Sequence, residues 1–313
     1  MSISGPGGDR PSKNRRREAA RDKARALREA QKKKDRRNKY LLQGGIALAV
    51  LAIIAVVVIV ITSAVRPPAA GPSNMASDGA VITKGLNTVR TPGLKGGTTP
   101  VPSPSDGSSD VFNIRVYIDY LCPVCGAFEA ANAPQIKKLV ESGVATLEIH
   151  PVAILDRSSM GTQYSTRAAN AFACVANYSP DSAFDYSAIL FENQPAENTE
   201  GLNNAKLIDL AKQVKVAKQS SVASCINDTK FKNWVSASTA RALAGPLPNS
   251  DIEKLLGTPT VLVNGQSYKF TADANGAFNP EEFSNFLLKV AGDNYAQHPS
   301  PSASPSPNTS PTP

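Results

Sequence analysis

Asp119-Tyr120-Leu121-Cys122-Pro123-Val124-Cys125-Gly126 is the stretch on which the reading of this chain turns. Before it, Val111 to Tyr120 alternates, with Ile114, Val116 and Ile118 on one face and Arg115, Tyr117 and Asp119 on the other, which is the period of a strand. After it, Phe128, Ile136, Leu139 and Val140 recur at helical spacing. The two cysteines therefore sit where a strand ends and a helix begins. Backbone N–H groups of a first helical turn lack internal partners, and the helix dipole adds partial positive charge, so a thiolate at Cys122 is stabilised relative to the thiol. Pro123 at the first helical position sacrifices no hydrogen bond and fixes φ, and with Val124 it shapes the turn between the two sulfurs. Cys125, one turn further in, is expected to be shielded and to resolve mixed disulfides.

A lone C-x-x-C also occurs in zinc sites, at haem attachment points and as an inert staple. Zinc normally needs four ligands, and the remaining candidates are Cys174, Cys225, His150 and His298, with no second close pair. Covalent haem attachment needs a histidine after the second cysteine, where Gly126 stands. No metal and no separate cofactor are expected. The inert staple stays open, although a strand end, a helix start and a proline together exceed what a staple requires. His150, in an apolar strand-like run, is assigned no role.

Outward from this motif the chain changes character. Residues 1 to 40 carry fifteen Lys or Arg against five acids, a surplus of ten, so a total net charge of +8 leaves about −2 for everything else. The basic run from Arg10 to Lys39 has no aromatic residues to stack on bases and adjoins an apolar segment, which favours membrane lipid over nucleic acid as its neighbour. That segment, Leu41 to Val65, is an uncharged run of 25 residues, long enough to cross the roughly 30 Å hydrocarbon layer as a helix. It is too long for the apolar part of a cleavable signal, although Ser63 and Ala64 would suit a cleavage site. Basic flanks stay cytoplasmic, so the sequence implies a cell-membrane protein with one span, its N-terminus inside and its C-terminal domain outside.

Residues 66 to 110, rich in Pro, Gly, Ser and Thr, read as a partly extended linker. Within it, Gly79 to Ile82 and Thr88 to Arg90 are expected as short strands of the next domain, which would then begin near residue 77. That domain covers 111 to 296, and 297 to 313 is a Ser/Pro tail that cannot form a core. Between about 156 and 256 amphipathic helices are expected over 164–177, 184–191, 204–214 and 229–244, forming a lid beside the cysteine pair. Thr260 to Val263 is β-branched and apolar, Asn264-Gly265 favours a type I′ turn, and Gln266 to Phe270 returns as its partner strand. Asn279-Pro280-Glu281 then caps a last helix with Phe283, Phe286, Leu287 and Val290 facing the sheet.

The motif from Asp119 to Cys125, the helical insertion after it, and Gly257-Thr258-Pro259-Thr260-Val261-Leu262-Val263-Asn264-Gly265 occur in the order found in the DsbA-like branch of the thioredoxin superfamily. Over about residues 77 to 295 the chain resembles that family, particularly its membrane-tethered actinobacterial members. The resemblance implies an α/β thioredoxin-like fold with a helical insertion, here preceded by one transmembrane helix. It further implies that the Thr258-Pro259 bond is cis and packs beside Cys122, where the Thr258 backbone would pair with an extended substrate chain. Some family members carry a second disulfide in the insertion, which suggests a structural Cys174–Cys225 bridge.

Two departures from the family pattern bear on the redox potential. Pro-Val between the cysteines lacks the histidine of the strongest oxidants, and Val116 stands where thioredoxins often hold a buried acid. Asp119 is either a proton relay for Cys125 or a solvated carboxylate at the strand end. The resemblance implies a protein-disulfide oxidoreductase that donates its Cys122–Cys125 disulfide to reduced exported proteins and is reoxidised by an integral, quinone-linked membrane partner. A reductase or isomerase using the same pair, and a binding module of the same fold without turnover, remain open at this level.

Overall fold

The computed structural model describes residues 70–104, 111–270 and 277–297. The expected basic tail, the apolar run 41–65 and the Ser/Pro tail from 298 lie outside the described residues. Among the described residues, no helix is long and apolar enough to cross a membrane.

The alternating run becomes β3 (Phe112–Ile118), the strand on which the sheet is assembled. It pairs in parallel with β4 (Ala145–Pro151) on one side and antiparallel with β5 (Thr260–Val263) on the other. β1 (Ala80–Thr83) and β2 (Asn87–Thr88) extend the sheet beyond β4, and β6 (Gln266–Ser267) extends it beyond β5, giving the order β2-β1-β4-β3-β5-β6. Parallel neighbours need a crossover, and α1 (Pro123–Ser142) supplies it between β3 and β4. α1 buries Cys125, Phe128, Asn132, Ile136 and Val140, and it ends at Gly143, whose φ of 85° lies in the left-handed region.

The last helix, α7 (Pro280–Gln297), lies beside α1. Phe128 of α1 meets Phe283 of α7 and Phe278 edge-on, with ring centroids 5.9 and 6.2 Å apart. Ser284 donates to the Gln135 side chain at 2.7 Å, and the Asn279 side chain accepts from Glu281 N at 2.9 Å, the expected cap. The β5–β6 turn has Asn264 and Gly265 at φ 49° and 83°, as a type I′ turn requires. A Cβ on residue 265 would also fall 2.7 Å from the Asn249 carbonyl.

Five helices fill the insertion: α2 (Tyr164–Tyr178), α3 (Ala183–Glu192), α4 (Asn204–Gln213), α5 (Gln219–Asn227) and α6 (Lys232–Ala244). Their buried faces, with Phe172, Tyr186, Leu190, Leu207, Leu210, Trp234 and Val235, are continuous with the sheet's core. Four of these helices match the expected spans; α5, short and made mostly of small and polar residues, is not among them. A disulfide joins Cys174 of α2 to Cys225 of α5, with Cα atoms 5.8 Å apart.

The sequence reading of 66–110 as a linker needs correction for residues 70–104, which are built into the domain. Besides the two short strands, Val101 N donates to the Ala76 carbonyl at 2.9 Å, and the Trp234 indole and Arg241 guanidinium both bind the Asp78 carboxylate. The Ser103 hydroxyl reaches Glu148 at 2.7 Å, where Arg115 forms a buried ion pair with the same carboxylate, also at 2.7 Å. These partners come from β3, β4 and α6, so low-complexity composition could not reveal them. The second face of β3 is not a solvent face either: Tyr117 is buried with Val152, Ala242, Leu247, Leu255 and Leu262.

The Cys174–Cys225 bridge spans 51 residues of chain. Replacing both cysteines with alanine is expected to destabilise the domain by about 2–4 kcal/mol, because closing a loop of that length restricts the unfolded chain. Denaturant unfolding of the non-reduced proteins measures the difference.

Candidate active site

Cys122 is the N-cap of α1, with φ −71° and ψ 114°. Its N–H donates to the Asp119 carbonyl at 3.0 Å, which turns the chain out of β3, and its own carbonyl accepts from Gly126 N at 3.2 Å as the helix begins. Pro123 occupies the first helical position, where no N–H is needed. Val124, the second residue between the cysteines, is 42% exposed. The Cys125 side chain is fully buried beneath them, and both cysteines are free thiols.

The loop before β5 completes the site from 136 residues further along the chain. The Cys122 thiol donates to the Thr258 carbonyl at 3.2 Å, and the Thr258-Pro259 peptide bond is cis. Without an N–H of its own, Pro259 leaves this edge beside the sulfur free of a competing donor. Leu256, at 86% exposure, adds apolar surface to the same loop.

The environment drives the two thiols in opposite directions. Hydrogen bonding from Cys125 is the largest influence on Cys122 and, against the opposing effect of burial, brings its pKa down to about 6. The Thr258 side chain and the backbone N–H groups of Cys125 and Val124 reinforce the same shift. Burial pushes the Cys125 thiol well up, and donating its hydrogen bond to Cys122 raises it further. One sulfur is thus prepared to carry negative charge while the other holds the proton that stabilises it.

Asp119 corrects the reading of a solvated carboxylate, because it is fully buried. One carboxylate oxygen accepts from Leu121 N at 2.9 Å and the other from Ile154 N at 2.8 Å and Leu155 N at 2.9 Å. These bonds engage both oxygens in holding the cysteine turn to the segment after β4. Burial raises the carboxyl's pKa and the backbone hydrogen bonds oppose that shift. The geometry is that of a clamp on the redox turn.

Two further side chains lie near the redox turn, at Tyr120 and Cys122. Glu129, one turn after Cys125 on α1, is half-buried, and desolvation raises its carboxyl to about 7. Its place four residues beyond Cys125 was visible in the sequence as a helical neighbour; its desolvation was not. Gln194, just past α3, donates its amide to the Cys122 carbonyl at 2.8 Å and to the Tyr120 carbonyl at 3.2 Å. Nothing in the local sequence around Gln194 signals this contact.

The thioredoxin family profile matches residues 107–288. Among solved structures the chain is similar to reduced DsbA from Mycobacterium tuberculosis, with 28% identity and a TM-score of 0.50 over 70% of this chain and 98% of that one. It is also similar to the reduced disulfide bond oxidoreductase DsbG of the same organism, with 29% identity, a TM-score of 0.49, and 71% and 95% of the two chains covered. Oxidised BdbD from Bacillus subtilis shows 22% identity and a TM-score of 0.48 over 72% of this chain and 100% of that one. No curated protein matches the chain.

The Cys122 pKa of about 6 lies below that of an unfolded cysteine, so between about pH 6 and about 8.5 the unfolded chain binds more protons at this site and stability rises with pH. That contribution is lost as pH falls through the folded value. Because buried carboxyls act in both redox forms, the test is the stability difference between reduced and oxidised protein, which should move in favour of the reduced form across this window. Flat behaviour would contradict the assigned thiolate.

For Asp119→Asn, one backbone N–H group or more loses its acceptor, and a stability loss of about 2–3 kcal/mol is expected with little change in the Cys122 titration midpoint. Unchanged stability together with slowed thiol exchange would instead indicate proton transfer by this carboxyl.

Proposed function

The chain belongs to the thioredoxin family, and from that premise we propose that it is a membrane-anchored, extracytoplasmic member of the DsbA-like branch that donates disulfides to exported proteins through Cys122 and Cys125. Its enzymatic class is protein-disulfide oxidoreductase. The observation that carries the reading is the single acidic sulfur: Cys122, with its pKa near 6, sits at a helix N-terminus against the cis Thr258-Pro259 loop, with a high-pKa partner buried behind it.

In the proposed reaction a substrate thiolate attacks Cys122 of the 122–125 disulfide. The new S–S bond forms at Cys122 while the old one breaks, and Cys125 leaves with the electron pair and takes up a proton. A second substrate thiolate then attacks the substrate sulfur of this mixed disulfide and expels Cys122 as a thiolate. The substrate loses two electrons and the enzyme gains them. A leaving group of pKa about 6 makes the second step fast and favours the reduced enzyme, which is what a disulfide donor needs. Val124 between the cysteines and Leu256 in the loop before Thr258 are exposed and supply apolar surface suited to unfolded chains. An extended substrate segment would lie along the Thr258-Pro259 edge.

The apolar run 41–65, with its basic preceding tail, is the proposed anchor, and it sets the domain outside the cell membrane beside membrane lipid. A quinone-linked integral membrane protein is the proposed electron acceptor that restores the disulfide.

Cys125→Ser should accumulate covalent mixed disulfides with a disulfide-containing protein, because the Cys122 thiolate opens that protein's S–S bond, releasing one of its sulfurs as a thiolate, and the resolving sulfur is gone, whereas Cys122→Ser should accumulate none. Non-reducing electrophoresis after exposure to an unfolded protein with its disulfides intact reads the result. Equal trapping by both variants would reverse or abolish the assigned roles. A redox titration and oxidation of a reduced substrate by the disulfide form test the direction of exchange.

A further inference from the structure

The connection between α3 and α4 reaches back over the start of α1, and it does so through one side chain. Gln194 is half-buried and 72 residues away from Cys122 in sequence. Its Nε2 group donates both of its hydrogens, one to the Cys122 carbonyl at 2.8 Å and one to the Tyr120 carbonyl at 3.2 Å. These two carbonyls flank Leu121, the residue at which the chain leaves the strand end and enters the redox turn. The other end of the same amide rests on Gly126: a Cβ at position 126 would lie 2.2 Å from Gln194 Oε1. A side chain there would displace the amide, so the glycine after the second cysteine makes room for Gln194.

We propose that Gln194 is a positioning residue for the redox pair, holding the turn at Cys122 from the insertion and sustaining the acidity of its sulfur. Two physical effects act in the same direction. Donors on the Cys122 and Tyr120 carbonyls offset partial negative charge close to the sulfur, which favours the thiolate. Fixing the Cys122 carbonyl also fixes the turn that aims the Val124 and Cys125 N–H groups at the sulfur, and those groups contribute to its low pKa. The proposal rests on Cys122 being the attacking sulfur. It adds that the insertion sets how strongly the pair oxidises.

The test uses the reduced full-length protein, with Cys122 titrated by its alkylation rate across pH and its redox potential measured against glutathione. Gln194→Met keeps length and bulk but removes both donors; Gln194→Ala removes the side chain. Each is expected to raise the Cys122 midpoint by about half a unit or more, a roughly twofold fall in thiolate at pH 6, and to move the potential in the reducing direction. Gly126→Ala should produce the same shift in the wild-type background and little further shift beside Gln194→Ala, because the group it displaces is already gone.

Thermal unfolding of the oxidised forms identifies any variant that merely fails to fold. A role in packing alone predicts lower stability with an unchanged midpoint and potential. That outcome in folded Gln194→Met, or a Gly126→Ala effect independent of residue 194, overturns the proposal. An ordinary thiol midpoint in the wild-type protein would instead defeat the function proposed for the pair, so the two failures are distinguishable.

Discussion

The constraint on which the rest of the structure depends is the unpaired backbone at the start of α1. A helix cannot satisfy its own first N–H groups, and here an ionisable sulfur stands at the cap position, where those groups are directed. A thiolate meets that need, and a lowered thiol pKa is the chemical consequence. Burial of Cys125 behind it keeps the second sulfur protonated and hence able to donate a hydrogen bond to the first. The difference between the two cysteines follows from one turn of helix, which leaves Cys122 slightly accessible, at 6% exposure, and Cys125 fully enclosed.

Holding that arrangement takes more than the helix. β3 is paired on both sides and buried on both faces, so its end is a fixed point from which the turn departs. Asp119 clamps the turn to the segment after β4 through backbone N–H groups, and the β5 entry brings Thr258 and Pro259 against the sulfur. Each support comes from a different part of the chain. A buried carboxylate with several backbone donors has a large stake in staying where it is, since moving it would leave those donors unpaired. Electrostatic tuning of Cys122 can therefore rely on geometry that the apolar core and this clamp maintain together.

The insertion's role is also settled by contacts with distant chain segments. Its helices are amphipathic and share the sheet's core, and a disulfide ties α2 to α5. Trp234 and Arg241 of α6 secure the segment around Asp78, which draws residues 70–104 onto the domain. Composition alone made that segment look like a spacer, because Pro, Gly, Ser and Thr report weak intrinsic structure and carry no record of partners supplied elsewhere.

The sequence by itself determined the strand, turn and helix around Cys122, the Asn264-Gly265 hairpin, the Asn279-Pro280 helix cap and most of the insertion's helices. All of these are short-range: periodicity, caps and turn propensities are written in neighbouring residues. Tertiary structure alone decided that Asp119 is a buried clamp, that Glu129 is desolvated, that Gln194 grips the Cys122 carbonyl and that Ser103 reaches Glu148. Hydrogen bonding and desolvation at these positions depend on atoms contributed by remote segments, and such pairings arise only when the chain closes on itself.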